Sequence, residues 1–557
     1  MSRTSLIPRL ALFAGVAVAL PACLNHPLKP VELEKAQEDK QTVDLQVNKD
    51  VDILFVIDNS GSMGEEQAKL SANFEKFIGV LEKKDVDANY RIGVTTTDVG
   101  NKWCGGTPDA GKLKLSSCLG RLGDFVFENT DVAAEACSDI CNTDVVATLP
   151  TATHVSNGAE ESRPWLERID GAKNIADDIS MVQAFQCVGP QGISGCGFEY
   201  HLESQYLALA RAATSDEKSY GFVRPNAILA IVHVTDEVDC SNNNKWSSIF
   251  DATSKGGNQV FWSNQTLTYP TSATCWNAGV ECSGDGDFYD DCVATDKDVE
   301  GNVTASSDKA VLHPLARYID QVQGLQTSKQ ALNASQEVIV GLIGGVLDDG
   351  DVVYPSSFPL VPKFLELFGT GPGCSSGSGE SLQTAVPPVR LREFTEAFGG
   401  AMFSVCNDDY SEALEAVADK IKDQIHPACY TECVEDTDPA TADVVDPECS
   451  VTQTLPGAEQ SDSIPQCARD ADGSYSWADD NFVQPDDASN VCFSMLIDAD
   501  GNATPNDEND DMSVDCVEAG NNLEFKITRR PGFAADGGTQ ISAKCSLSPN
   551  TELDCGS

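Results

Sequence analysis

Within residues 49–428, three stretches hold almost nothing but apolar side chains: Ile53 to Ile57, Ala227 to Val234 with His233 as its polar exception, and Val338 to Ile343. A short unbroken apolar run is what a strand buried on both faces requires, and such strands belong to parallel sheets with helices on each side. Helical patterns stand between them. Residues 65–83 place Leu70, Phe74, Phe77, Ile78 and Leu81 on one stripe. Leu202, Tyr206, Leu209 and Ala210 mark a second helix, and Val311, Leu312, Leu315, Ile319 and Val322 a third over 309–324. A fourth covers 389–398, and Leu414, Val417 and Ile421 define a last one. Tyr90 to Thr96 and Ala401 to Val405 read as further strands. Strands alternating with helices predict an α/β fold built on a doubly wound, mostly parallel sheet.

A domain of that kind closes within about 200 residues, yet the pattern runs over 49–428. The excess falls near 98–196, with six cysteines, and near 240–305, with four. Both segments are rich in Gly, Asn, Ser and Asp and read as insertions in loops that follow strands. Composition shifts at Cys429. Residues 429–557 carry 27 acidic against 5 basic side chains and eight cysteines, which predicts a small disulfide-rich β-type module. Of 21 cysteines, setting Cys23 aside leaves twelve between Cys104 and Cys406 and eight from Cys429 to Cys555. Even counts in both blocks predict disulfides that close within each block, and so an extracytoplasmic, oxidising compartment.

The first 23 residues read as a processing segment. Arg3 and Arg9 precede an apolar run of 11 residues, Leu10 to Leu20, too short to span a bilayer. Leu20-Pro21-Ala22-Cys23 resembles a bacterial lipobox, although Pro21 is unusual there; the resemblance implies a lipid on Cys23 and a cell-envelope or cell-surface location. Residues 24–48 are polar, contain Pro27 and Pro30, and read as a tether. The net charge of -50 repels phosphate backbones and argues against a nucleic-acid partner.

The chemistry concentrates where the first buried run ends, at Asp58-Asn59-Ser60-Gly61-Ser62-Met63. Ligands of open parallel sheets bind at the carboxyl ends of strands. Asp58 supplies a charged oxygen, and Ser60 and Ser62 supply hydroxyls two residues apart. These hard donors suit Mg²⁺, Mn²⁺ or Ca²⁺ rather than zinc or copper. Thr235-Asp236 ends a second central strand and brings another carboxylate to the same edge. Asp58-x-Ser60-x-Ser62 with Thr235-Asp236 resembles the metal-ion-dependent adhesion site of von Willebrand factor type A domains, which are Rossmann-like. The resemblance covers roughly 50–428 apart from the insertions. It implies a divalent cation that grips an acidic group on a protein or glycan partner. The family's threonine ligand has no clear counterpart. Glu199 stands near its place and would be a third anionic ligand, with Thr97 and Thr107 poorer candidates by position. Asp98, Glu237 and Asp239 flank the site as turn or supporting residues.

Catalytic signals are weak. None of the six histidines begins a His-Glu-x-x-His motif. Gly373-Cys374-Ser375-Ser376-Gly377 has the letters of a nucleophile elbow but lacks the buried strand before it and the helix after it. Asp470-Ala471-Asp472-Gly473 and Asp498-Ala499-Asp500-Gly501 place glycine at the fourth position, where an EF-hand needs it at the sixth. The expectation is a binding protein and not an enzyme. The rival is an envelope scaffold that the cation merely stiffens.

Overall fold

The computed structural model describes residues 40–555 except 46–48, 84–85, 144–145, 152–159, 333–335, 380–381, 426–427, 438–446, 456–457, 459, 471–473, 479–480, 498–511, 514–515, 518, 531–532, 534–538 and 552–554. The processing segment, Cys23, the tether as far as residue 39 and most of the two Asp-Gly turns of the tail lie outside the described residues.

Seven strands form the main sheet: β2 (Asp50–Ile57), β3 (Asn89–Thr96), β4 (Leu166–Ile169), β5 (Ala172–Lys173), β6 (Ile228–Val234), β7 (Ile339–Gly344) and β8 (Ala401–Ser404). Their spatial order is β8-β7-β6-β2-β3-β4-β5. The first five in that order run parallel, and β4 and β5 add antiparallel at the edge. The connecting helices are α1 (Gly64–Leu81), α2 (Met181–Val188), α3 (His201–Ala212), α4 (Leu315–Gln330), α5 (Val389–Glu396) and α6 (Ser411–Lys422).

Alternation along β2 explains why its run is unbroken. Val51, Ile53, Phe55 and Ile57 pack into one cluster with residues of α1, α2 and α6, whereas Leu54 and Val56 pack on the other face with residues of α3, α4 and α5. Phe55 sits among Phe74, Phe77 and Phe185 with ring centroids 5.2–6.0 Å apart, contacts worth about 0.5–1.5 kcal/mol per aromatic pair beyond area burial.

Three expectations need correction. The third helix starts at Leu315, not near 309, because Pro314 precedes it and the residue before a proline is pushed out of helical geometry; Val311 and Leu312 instead pack into a satellite core beneath the second insertion. The first insertion is not wholly outside the sheet, since β4, β5 and α2 belong to the domain itself. The tether does not extend to residue 48. Lys40–Leu45 is a strand, β1, paired antiparallel with the tail, Val43 opposite Ala543 and Leu45 opposite Ile541. Two alternating apolar residues are too few to reveal a strand in the sequence.

The tail forms a four-stranded sheet in which β1 joins β10 (Cys449–Thr454), β11 (Asp462–Ile464) and β14 (Gln540–Ser546). A three-stranded sheet holds β9 (Ala428–Cys429), β12 (Val491–Leu496) and β13 (Glu524–Arg529). Ten disulfides staple the chain, and each closes within its own cysteine block, as the even counts predict. They assign the chain to an oxidising, extracytoplasmic compartment. Among the described residues no helix is long and apolar enough to cross a membrane.

Candidate metal centre

β2 and β6 end at the same level, with Ile57 opposite Val234. The ladder continues one step, the Asp58 amide donating to the Val234 carbonyl at 3.0 Å. Asp58 and Thr235-Asp236 therefore leave the sheet side by side, at the carboxyl ends of two adjacent parallel strands.

The Asp58 loop is built from its own short-range bonds. The Ser60 amide donates to Asp58 Oδ1 at 2.8 Å, and the two serine hydroxyl oxygens, Ser60 Oγ and Ser62 Oγ, lie 3.3 Å apart. A Cβ at Gly61 would stand 3.0 Å from the exposed Phe127 ring of the first insertion, which would have to shift slightly to admit it. Gln67 on α1 anchors the loop from below. Its side-chain amide donates to the Asp58 and Gly192 carbonyls, each at 2.8 Å, and its Oε1 accepts the Gln191 and Gly192 amides at 2.7 and 3.0 Å. The Gly195 amide donates to the Asn59 carbonyl at 2.9 Å. The first insertion is thus stitched to the loop that carries Asp58, Ser60 and Ser62.

Across the gap, the Thr235 hydroxyl donates to Asp58 Oδ2 at 2.6 Å. Ser62 lies near enough to Asp236 to lower its carboxyl slightly, and Asp236 Oδ1 is buried with no protein partner. Asp58, Ser60 and Asp236 are buried and Ser62 is exposed, so the cluster opens to solvent on the Ser62 side.

Glu199 lies just ahead of α3. Its Oε2 accepts a short bond from the Thr97 hydroxyl, and its Oε1 is buried without a partner. Among the described residues no three His, Cys, Asp or Glu side chains are grouped so as to hold one ion. Glu199 is therefore tied to Thr97 rather than joined with Asp58 and Asp236 in a three-acid set. The donors that come together are the Asp58 and Asp236 carboxylates and the two serine hydroxyls. Thr107 takes no part in these contacts.

The electrostatics are dominated by excess negative charge. Burial, and then repulsion from Asp58, push the Glu199 and Asp236 carboxyls well above the usual range. Burial, aided by Asp58, raises Glu237 to about 8, and burial raises Glu66 to about 7. Burial also works to raise Asp58, but His201, the Thr235 hydroxyl and the Ser60 amide hold it below its ordinary value. A hard divalent cation would remove this repulsion, and an orphaned carboxylate oxygen beside two hydroxyls is suited to one. Glu66 and His201 are not legible as members of the cluster, whereas Glu237, next to Asp236, reads as a flanking residue. Glu66 reads as an ordinary first-turn acid of α1, and His201 has no motif around it.

No family model matches the chain, and no curated protein matches it. Among solved structures it is similar to the pilus adhesin SpaC from Lactobacillus rhamnosus GG in its open conformation, at 11% identity and a TM-score of 0.28, covering 91% of this chain and 40% of the adhesin. A second form of the same adhesin gives 11% identity and a TM-score of 0.26, covering 91% of this chain and 41% of that one. The chain thus spans about two-fifths of the length of the adhesin it resembles.

Proposed function

We propose that this chain is an extracytoplasmic adhesion protein. Its α/β domain would be of the von Willebrand factor A type and would hold Mg²⁺, or Ca²⁺ or Mn²⁺, between Asp58, Ser60, Ser62 and Asp236. The cation would grip an acidic group on a protein or glycan partner. A lipid on Cys23 would attach the chain to the cell envelope. One observation carries the reading: Asp236 brings a buried, unpartnered carboxylate oxygen to a serine pair whose outer member, Ser62, is open to solvent. Mg²⁺ keeps several waters, and one of them can give way to a partner's carboxylate. The stitched first insertion would frame the site and select among partners.

Calorimetric titration of the full-length chain with MgCl₂ tests the metal. One saturable site is expected, with loss of binding in Asp58→Ala; equal affinity in that variant would overturn the assignment. The scaffold reading has its own support in the burial of Glu199 and Glu66, which a cation would relieve without any partner. Partner retention that EDTA reverses while circular dichroism is unchanged favours adhesion; retention insensitive to EDTA favours the scaffold.

A further inference from the structure

Thr235 Oγ1 has three polar neighbours. They are Asp58 Oδ2 at 2.6 Å, the Glu237 amide at 3.0 Å and His201 Nε2 at 2.7 Å. A hydroxyl has one proton and two acceptor sites. Its proton goes to the Asp58 carboxylate, and the Glu237 amide occupies one lone pair. The other accepts from His201, so Nε2 of that ring carries a proton. No lone pair of Thr235 is left for a cation.

The chain of contacts continues behind the histidine. Asp239 Oδ1 lies 3.8 Å from His201 Nδ1, within ion-pair reach but not hydrogen-bonded to it, and accepts from the Ser241 hydroxyl at 2.7 Å and the Leu202 amide at 3.2 Å. Its Oδ2 accepts from Arg390 Nε on α5 at 2.9 Å, and Arg390 also donates to the His313 carbonyl at 2.7 Å. Asp58, Thr235, His201, Asp239 and Arg390 are each no more than 1% exposed. Side chains from the ends of β2 and β6, the start of α3 and the start of α5 are thereby fixed relative to one another, away from water.

We propose that His201 and Thr235 are positioning residues of the metal centre: His201, steadied by Asp239 and Arg390, aims the Thr235 hydroxyl at Asp58 Oδ2 and so sets which Asp58 lone pairs face the cation. The proposal rests on the metal reading above. Supporting groups of this kind typically change metal affinity by about 10–100-fold when lost. It also gives His201 a role that its sequence context does not suggest.

The test is Mg²⁺ titration of the full-length chain by calorimetry, with thermal unfolding recorded for every variant. His201→Gln keeps an N–H near the place of Nε2, and His201→Asn does not reach it. Thr235→Val removes the hydroxyl at constant shape. Expected are near-parental affinity in His201→Gln and losses of about tenfold or more in His201→Asn and Thr235→Val. The double variant His201→Asn/Thr235→Val should bind no more weakly than Thr235→Val alone, because both changes break one relay. Additive losses, parental affinity in His201→Asn, or equal losses in the Gln and Asn variants that follow thermal stability would overturn the relay while the metal reading stands. No Mg²⁺ binding by the unaltered chain would overturn both.

Discussion

Arg224 Nε donates to Asp52 Oδ1 at 2.8 Å, and both side chains are fully buried. The guanidinium also pairs with Asp50 at 2.9 Å and donates to the Val51 and Asn89 carbonyls, each at 3.0 Å. Asp52 is six residues before Asp58 on the same chain, which at roughly 3.3 Å per strand residue sets this network about 20 Å from the Asp58 loop. It ties the entry ends of β2 and β3 to the segment leading into β6, where backbone groups would otherwise lack partners.

Removing one member of such a buried pair strands the other charge, at a cost of about 3–5 kcal/mol. Arg224→Ala is therefore expected to lower the urea midpoint by that equivalent while Mg²⁺ affinity at the opposite sheet edge stays at the parental value. An unchanged midpoint, or an affinity loss as large as that of Asp58→Ala, would contradict the separation of the two ends.

The acids around Asp58 give stability a definite pH dependence. Glu66 rises from 4.5 to about 7, by burial first, and Glu237 from 4.5 to about 8, by burial and then Asp58. Between the unfolded and folded values the folded chain binds more protons than the unfolded one, so metal-free stability falls as pH rises through that window. At about 1.4 kcal/mol per unit, the Glu66 shift corresponds to roughly 3 kcal/mol. In EDTA, urea midpoints should drop between about pH 5 and pH 8, and added Mg²⁺ should restore more stability at the upper end than at the lower. A flat or rising EDTA profile would count against the crowding of these carboxylates.

Much of this architecture is legible in the sequence because buried parallel strands write themselves as unbroken apolar runs. Ile53 to Ile57 must satisfy both faces of the sheet, and its shortness and alternation with helical patterns separate it from a buried helix segment. Asp58, Ser60, Ser62 and Asp236 are legible for a related reason, since they follow such runs directly. The short strands β4 and β5 are not, because β4 carries Glu167, buried against Arg91, and Arg168, paired with Asp87, where an apolar run would be expected. β1 is hidden by its partner, which lies about 500 residues further on at Ala543. His201 and Arg390 gain their places at the site through burial and contacts between distant segments, such as Asp239 with Arg390 across 151 residues. Local spacing contains no trace of those contacts. Glu199 is legible by position, and one of its oxygens is taken by Thr97 while the other is buried without a partner.

Asp236 sets stability against binding. Its carboxyl is buried, pushed well up by burial and then by Asp58, and has one oxygen with no protein partner. Without a cation it burdens the fold; under the proposed reading a cation would take its charge and its free oxygen. Asp236→Asn removes the charge at nearly constant shape and keeps a polar group facing Ser62. Unpaired buried charge costs several kcal/mol, and a neutral amide much less. The variant is expected to unfold at higher temperature than the parent in EDTA near pH 8, by about 1–2 kcal/mol of equivalent stability, because near that pH the parent must either ionise this acid or hold its proton against solution. It should also lose most of its Mg²⁺ affinity and gain nothing from added Mg²⁺, so that the order of stabilities reverses when the metal is supplied. Parental metal affinity in Asp236→Asn, or lower stability than the parent in EDTA, would show that this carboxylate is structural and that the cation is held elsewhere.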